Sequence, residues 1–99
     1  MVVENPYTEE VLNSKERIRT FSASVLSDEL VWHRDKNTRL VEVLDGDGWM
    51  LQMDNCLPVE MSVGDVYEIP ARTYHRIKRG TTDLRIRIIE QWTQLPEDS

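Results

Sequence analysis

The sequence has little of what disulfide-rich or membrane-spanning proteins depend on. Its 99 residues include one cysteine, Cys56, which can form neither an internal disulfide nor a cysteine-based zinc site. We expect Cys56 to be a small, half-buried apolar residue. No apolar run approaches bilayer-spanning length, and the first residues lack the pattern of a signal peptide. These absences predict a reducing, cytoplasmic location and no membrane partner.

The chain also lacks an excess of positive charge. Twelve Lys and Arg against 18 Asp and Glu give a formal net charge of −6. Because phosphate binding requires a basic surface, this charge argues against nucleic acid as a partner. The length predicts one domain over residues 1–99, with a barrel core at about residues 17–92. A chain this short buries a modest core, so we expect a homodimer.

Short strands between turn signals are predicted for most of the chain. Residues 8–14 are the exception, because Thr8 as a cap before two glutamates predicts a short helix. The turn signature at residues 45–48 predicts a hairpin between the strands on either side of it. About eight strands at close, even spacing predict an all-β sandwich or barrel. These strands are 17–22, 30–33, 38–44, 49–53, 59–61, 66–69, 74–78 and 84–90.

Alternation within the strands assigns their faces. Leu84, Ile86 and Ile88 are predicted to face inward, which leaves Arg85 and Arg87 outside. Leu40 and Leu44 would then lie on the outer face of their strand, where a dimer contact could bury them. The three tryptophans are expected to pack in the core or at an interface rather than to form a ligand platform; they are Trp32, Trp49 and Trp92.

One segment joins a turn, a strand and a histidine. Gly64 is followed after five residues by Pro70, and His75 lies further along the chain. Glycine turns the chain into a strand and proline ends the pairing of that strand. The spacing resembles the second motif of the cupin superfamily, in which a second glycine stands where this sequence has Arg72.

A second segment resembles the first cupin motif, which is His-x-His, three or four residues, Glu, six residues and Gly. Here His33 and Asp35 correspond to His-x-His, Arg39 to the glutamate and Gly46 to the glycine. Two of the three metal ligands of that motif are therefore changed. The resemblance covers about residues 30–90 and implies a small, RmlC-like cupin jelly roll, a double-stranded β-helix barrel with a degenerate first motif.

The resemblance implies that His33, Asp35, Arg39 and His75 point into the barrel. Both histidines of the chain fall at cupin ligand positions. Two histidines and one carboxylate make the facial triad that suits Fe(II), with Mn, Ni or Zn as alternatives. Such a metal acts as a Lewis acid or activates oxygen. The first hypothesis is therefore a cupin that binds a divalent metal through His33, Asp35 and His75, and a small molecule, as a dioxygenase or an isomerase.

Arg39 supports a second hypothesis. A guanidinium near Asp35 repels a metal cation and is also an anchor for a carboxylate or phosphate. The alternative function is thus a non-catalytic, metal-free cupin that binds a small anionic ligand through Arg39 and the histidines. An ion pair of Arg39 with Asp35 or Glu42 is a purely structural explanation. If Arg39 points inward against Asp35, the second hypothesis is favoured.

Two further enzyme classes share parts of this pattern. The chain resembles 2-oxoglutarate oxygenases in its His-x-Asp, but their arginine after the second histidine would here be Arg85, which is predicted to face outward. It also resembles cupin-type sugar-nucleotide epimerases, which use a histidine base and a tyrosine acid. Here the base would be His33 or His75, and the acid would be Tyr67. Tyr67 is better explained as an ordinary strand aromatic, and Tyr74 is predicted to face away from His75.

Overall fold

A computed structural model describes residues 7–25 and 30–91, which form eight β-strands. In these two ranges no helix is long and apolar enough to cross a membrane. The all-β prediction is confirmed. The strands are β1 Tyr7–Val11, β2 Glu16–Phe21, β3 Thr38–Asp45, β4 Met50–Met53, β5 Val59–Glu60, β6 Val66–Ile69, β7 His75–Lys78 and β8 Leu84–Gln91.

The strands form two antiparallel sheets. The larger sheet has the order β1-β2-β8-β3-β6, and the smaller has the order β5-β4-β7. Residues from both sheets meet in one apolar core, since β8 and β3 contribute to it from one side and Leu51 of β4 from the other. The sheets therefore enclose the core between them, as the walls of a barrel do.

The faces of β8 follow the predicted alternation. Leu84, Ile86 and Ile88 are buried, whereas Arg85 is exposed and Arg87 pairs with Glu16 on the outer side. On β3, the register places Val41 opposite Ile88 and Val43 opposite Ile86, and both valines are buried. This apolar face forms one wall of the core, because directly opposed residues of an antiparallel pair share a face.

The predicted helix at residues 8–14 is wrong, since residues 7–11 form the edge strand β1. Tyr7 lies opposite Phe21 and Glu9 opposite Arg19. The Tyr7 and Phe21 rings pack edge to face, and the Glu9 carboxylate accepts a 2.9 Å hydrogen bond from Arg19 Nε. These cross-strand contacts outweigh the local cap and acidic signals, because helix propensity is a weak preference that tertiary packing overrides.

The predicted hairpin of residues 38–44 with residues 49–53 is also wrong. The turn is present, with positive φ at Gly46 and Gly48, but β3 and β4 lie in different sheets. Trp49 is fully buried at the crossing point and donates a 2.6 Å hydrogen bond from Nε1 to the Thr82 carbonyl. Because this ring is buried between the sheets, the chain crosses from one sheet into the other instead of returning along β3.

Two expectations about single residues have different outcomes. Trp49 is a core residue as predicted, Trp32 is 40% exposed at the surface, and Trp92 lies outside the described residues. Cys56 is exposed rather than half-buried, because it belongs to the tight turn that follows β4. Its N–H donates to the Met53 carbonyl, which closes that turn and directs the thiol to solvent.

Candidate metal centre

A backbone bridge brings the two histidines together. The predicted strand at residues 30–33 is reduced to a single bridge, in which His33 N–H donates to the His75 carbonyl at 3.0 Å. His75 N–H donates back to the His33 carbonyl at 2.8 Å. Paired residues of such a bridge project to the same side, so the imidazole rings lie with their centroids 4.3 Å apart.

The turn before β7 secures Asp35 beside the histidines. Arg72 N–H donates a 2.7 Å hydrogen bond to the Asp35 carbonyl, and Ala71 N–H donates to Thr38 Oγ1. Arg72 has a φ of +63°, a conformation that glycine adopts without strain and other residues rarely adopt. The position where the cupin motif has a second glycine is therefore one where the backbone is left-handed.

Both imidazoles direct Nε2 toward Asp35 and have Nδ1 beside a backbone carbonyl. His75 Nδ1 lies 2.9 Å from the Thr73 carbonyl, and His33 Nδ1 lies 3.1 Å from the Val31 carbonyl. A carbonyl oxygen only accepts, so in each neutral ring the proton is on Nδ1 and the lone pair is on Nε2. A backbone carbonyl that favours one tautomer in this way is a common partner of a metal-binding histidine, as carboxylates and water are.

Asp35 lies between these two lone pairs. Its Oδ2 is 3.4 Å from His75 Nε2 and 4.0 Å from His33 Nε2. This oxygen is buried and has no hydrogen-bond partner among the described residues. A buried acceptor without a partner is costly, by about 1–3 kcal/mol. A cation between the two lone pairs and the carboxylate, either a proton or a metal ion, would satisfy all three acceptors.

Electrostatics makes a proton the weaker candidate at His75. Burial lowers the pKa of His75 below its usual value of 6.5, because desolvation penalises the imidazolium. The Thr73 carbonyl and the Asp35 carboxylate raise the pKa, and the charges of His33 and Arg39 lower it. The net direction is downward, so His75 keeps its neutral, metal-binding form across physiological pH.

The three ligand atoms fit the size of a metal ion. Two atoms that bind one zinc-like ion at roughly 2.1 Å lie no more than about 4.2 Å apart. Oδ2 of Asp35 is within this limit of both Nε2 atoms, and all three atoms lie within 4.8 Å of one another. The His33 side chain is 48% exposed, and an inward shift of this ring would close the remaining distance. These residues therefore suit a divalent ion.

Arg39 points inward, as the second hypothesis expected. Its Nη1 lies 3.2 Å from Asp35 Oδ2, but its Nε donates a 2.8 Å hydrogen bond to Glu90 rather than to Asp35 or Glu42. Glu90 also accepts from Arg17, which in turn lies 3.2 Å from Glu9. The two arginines lower the pKa of Glu90 despite the opposing effect of its burial, so Glu90 is anionic and offsets the charge of Arg39.

Glu90 is a residue that the sequence analysis did not single out. It is 8% exposed and lies directly opposite Arg39 across β3 and β8. The signal was available, because Glu90 has the same parity in β8 as the inward-facing Leu84, Ile86 and Ile88. A carboxylate at the end of an apolar stripe requires a buried partner, and Arg39 supplies it.

A cavity of about 380 Å³ opens from this cluster into the barrel. Its walls are mainly apolar, with Val41, Leu51, Ile77 and Ile88 among them, and His33, Asp35, Arg39 and His75 line it as well. Arg19 also reaches the cavity, where its guanidinium stacks over the Tyr7 ring at 3.9 Å. The cavity is of the size that holds a small ligand, with a few polar groups in an apolar wall.

The structure does not bring Tyr67 to this cavity. Its hydroxyl donates to the Glu60 carbonyl at 2.8 Å and lies 2.9 Å from the Asp65 carboxylate. Burial and the hydrogen bond with Asp65 raise the pKa of Tyr67. Arg85 is exposed on the outer face of β8, as predicted, so it is not placed to hold a co-substrate beside His75.

Comparison with known proteins shows the fold and nothing finer. No protein-family model and no curated protein matches the chain. Solved structures do match, at low sequence identity. One is a cupin 2 conserved barrel domain protein from Leptotrichia buccalis, which has a TM-score of 0.65 and 23% identity over 86% of this chain and 40% of that one.

Two further structures extend the comparison. An RmlC-like cupin family protein with a double-stranded β-helix fold from Methanocaldococcus jannaschii has a TM-score of 0.62 and 14% identity, over 88% of this chain and 81% of that one. A structure of DMSP lyases has a TM-score of 0.69 and 16% identity over 84% of this chain, which spans 40% of the lyase chain. The fold is thus that of a small cupin barrel.

Proposed function

From a cupin barrel whose cavity ends at two imidazoles and a carboxylate, we propose that the protein binds a divalent transition metal ion and a small molecule. The ligands are His33 Nε2, Asp35 Oδ2 and His75 Nε2. The observation that carries the proposal is that Nδ1 of each ring lies within hydrogen-bond distance of a backbone carbonyl, which favours the tautomer with its lone pair on Nε2. The mixed imidazole and carboxylate set suits iron, manganese, nickel or zinc.

The charges around Asp35 support a metal in spite of Arg39. Arg39 is hydrogen-bonded to Glu90 through Nε, and its contact with Asp35 lacks hydrogen-bond geometry. The guanidinium charge is therefore offset by a carboxylate on the side away from the cluster. Asp35 Oδ2 keeps its lone pairs for another partner, and a bound cation would satisfy them.

The bound metal would supply Lewis acidity to a substrate oxygen or activate dioxygen. The residues of the chain supply the rest. The apolar walls exclude water and hold the body of a small molecule, while the cluster receives its polar end. An isomerase or a dioxygenase was expected from the sequence. Because one structure of similar fold is a DMSP lyase, lyase activity is a third reaction to assay.

The metal-free alternative has one observation in its favour, which is that Arg39 lines the cavity beside Asp35. In that function Arg39 and the two histidines would hold a small carboxylate or phosphate without catalysis. The protein would then contain no metal, and Arg39→Met would abolish binding of the anion. The anion would also have to displace Asp35 from Arg39.

Elemental analysis tests the metal. The protein is purified without added metal, stripped with chelator and reconstituted with Fe(II), Mn, Ni or Zn. We expect close to one ion per chain, and its loss in His75→Ala and Asp35→Asn. Glu68→Gln is the matched control, because Glu68 is an exposed carboxylate on the strand β6. A parent protein that retains no ion after reconstitution with any of the four metals would contradict the proposal.

A further inference from the structure

Beside the candidate metal centre, the Arg39 guanidinium contacts two carboxylates through different nitrogens. Glu90 lies opposite it on β8, and the Arg39 Nε–H donates to Glu90 Oε2 at 2.8 Å. A different nitrogen, Nη1, lies 3.2 Å from Asp35 Oδ2. The Glu90 side chain is 9% exposed, so this arrangement is sequestered from solvent.

From these two contacts of Arg39 we infer that Glu90 is a positioning residue for the metal centre. By accepting from Nε of Arg39, it keeps the guanidinium in an orientation in which one nitrogen, Nη1, approaches Asp35 and no bidentate pair forms. The Asp35 carboxylate is thereby left available to a metal ion. This inference rests on the proposed metal function, but it concerns where Arg39 lies, which is measurable without metal.

The competition follows from the geometry of a guanidinium. Arginine forms its strongest pairs when two parallel N–H groups meet one carboxylate. Arg39 makes no such pair with Asp35, whose Oδ2 is buried without a hydrogen-bond partner among the described residues. The preferred bidentate arrangement would occupy this oxygen. What stands against it is the hydrogen bond of Nε with Glu90.

Glu90 is itself fixed from the other side. Arg17 donates to the same Oε2 atom that accepts from Arg39, and Arg17 Nε lies 3.2 Å from Glu9. The backbone of Glu90 is also held, since its N–H donates to the Lys15 carbonyl at 2.7 Å. Glu90 therefore cannot follow Arg39 toward Asp35. Its negative charge also reduces the repulsion between Arg39 and a bound dication.

Cobalt binding in four proteins tests the inference: the parent, Glu90→Gln, Arg39→Met and the double variant. Co²⁺ is titrated and its visible absorption gives the affinity. We expect Glu90→Gln to bind Co²⁺ about tenfold more weakly, the lower end of what loss of a residue supporting metal ligands costs. The double variant should bind at least as tightly as the parent, because the competing guanidinium is gone. If Glu90 only supports the fold, the double variant will remain as weak as Glu90→Gln, which would overturn the inference.

Two additions keep the outcome decisive. Glu90→Asp retains the carboxylate charge but moves it away from Arg39 by one methylene. It replaces Glu90→Gln if that variant does not fold, and we expect a smaller loss of cobalt affinity. Glu16→Gln is the matched control, since Glu16 pairs with Arg87 on the outer face of the sheet and should leave the cobalt affinity unchanged. A loss in Glu16→Gln equal to that in the Glu90 variant would count against a specific role.

A crystal structure of the metal-free Glu90 variant separates the two proposals. We expect Arg39 to meet Asp35 through two nitrogens there. An Arg39 that keeps its single contact would overturn the inference even if the parent binds cobalt. A parent that binds no cobalt would instead count against the metal function, and the position of Arg39 in the crystal would still decide the role of Glu90.

Discussion

His33 and His75 are joined by two reciprocal backbone hydrogen bonds, although one lies before β3 and the other begins β7. The relative position of their imidazoles is therefore set by main-chain geometry. The Nδ1 contacts with Val31 and Thr73 then fix the rotation of each ring. The backbone that carries both ligands is thus in place before any ion arrives, which reduces the entropic cost of binding to the adjustment of the side chains.

The stability of the metal-free protein should fall as the pH drops below about 6.5, the ordinary pKa of histidine. The pKa of His75 is lowered in the folded state, so the unfolded chain takes up a proton first as the pH falls. Proton binding to the unfolded state lowers the free energy of unfolding until the pH passes the folded-state pKa. Above 6.5 this contribution is fully present.

Urea denaturation in the presence of chelator, at about pH 7.5 and about pH 5.5, measures this effect. The same pair of measurements on His75→Gln removes the group while leaving the other titrating residues in place. We expect a smaller difference between the two pH values in the variant. Equal differences in the two proteins would show that His75 does not titrate abnormally.

Replacing Arg72 by glycine should stabilise the protein by about 1 kcal/mol, because a left-handed conformation costs an L-residue roughly that amount. Arg72 has a φ of +63° and an exposed side chain, and glycine retains the N–H that donates to Asp35. Arg85→Gly is the control, since Arg85 lies in β8 with ordinary φ. That variant should lose about 1 kcal/mol. Urea denaturation of both gives the sign.

Gly80→Ala should destabilise the protein by about 2 kcal/mol through overpacking. A Cβ at Gly80 would meet the Asp47 carbonyl and would lie 2.6 Å from Trp49 N, and both are backbone atoms that cannot move aside. Gly64→Ala is a useful comparison, because its φ is +95° but a Cβ there would meet nothing within 4 Å. We expect the smaller loss of stability at Gly64. Thermal or urea unfolding of the two variants measures this order, and the reverse order would show that close packing at Gly80 is unimportant.

A homodimer remains our prediction from the sequence, with the outer face of β3 as its contact. Leu40 is half-buried and lies opposite Ile89, so an apolar pair faces outward on the larger sheet. Leu40→Lys should convert the dimer to a monomer by placing a charge there. Leu57→Lys is the matched control, since Leu57 is 85% exposed in the turn before β5. Size-exclusion chromatography with light scattering distinguishes the forms, and a monomeric parent would contradict the prediction.

Local patterns in the sequence predicted those parts of the fold that depend on local alternation. The buried face of β8 follows from the alternation of apolar and charged residues over residues 84–88, and the turns follow from Gly46, Gly48 and Gly64. The proximity of His33, Asp35 and His75 was expected from two spaced motifs rather than from any single strand. The fold and the candidate site could thus be predicted where the strand alternation and the spacing of the two motifs agree.

Non-local contacts account for what the sequence did not predict. The acidic start of β1 suggested a helix, because nothing nearby in sequence shows that Arg17 and Arg19 would pair with Glu9. The hairpin prediction was wrong because glycines permit a turn without specifying which sheet follows it. The inward direction of Glu90 could be predicted from the alternation in β8, but its pairing with Arg39 could not, because β8 and β3 pair only in the folded barrel.

The edge strand β1 has a second role, because its residue Glu9 supplies a carboxylate that pairs with two arginines of β2. Glu9 contacts Arg17 at 3.2 Å and Arg19 at 2.8 Å, and Arg19 reaches the cavity. If β1 detached from β2, both guanidinium groups would lose this carboxylate together. Arg17 would keep Glu90 as a partner, whereas Arg19 would remain in the cavity wall without Glu9, so the docking of one edge strand contributes to the charge balance of the cavity.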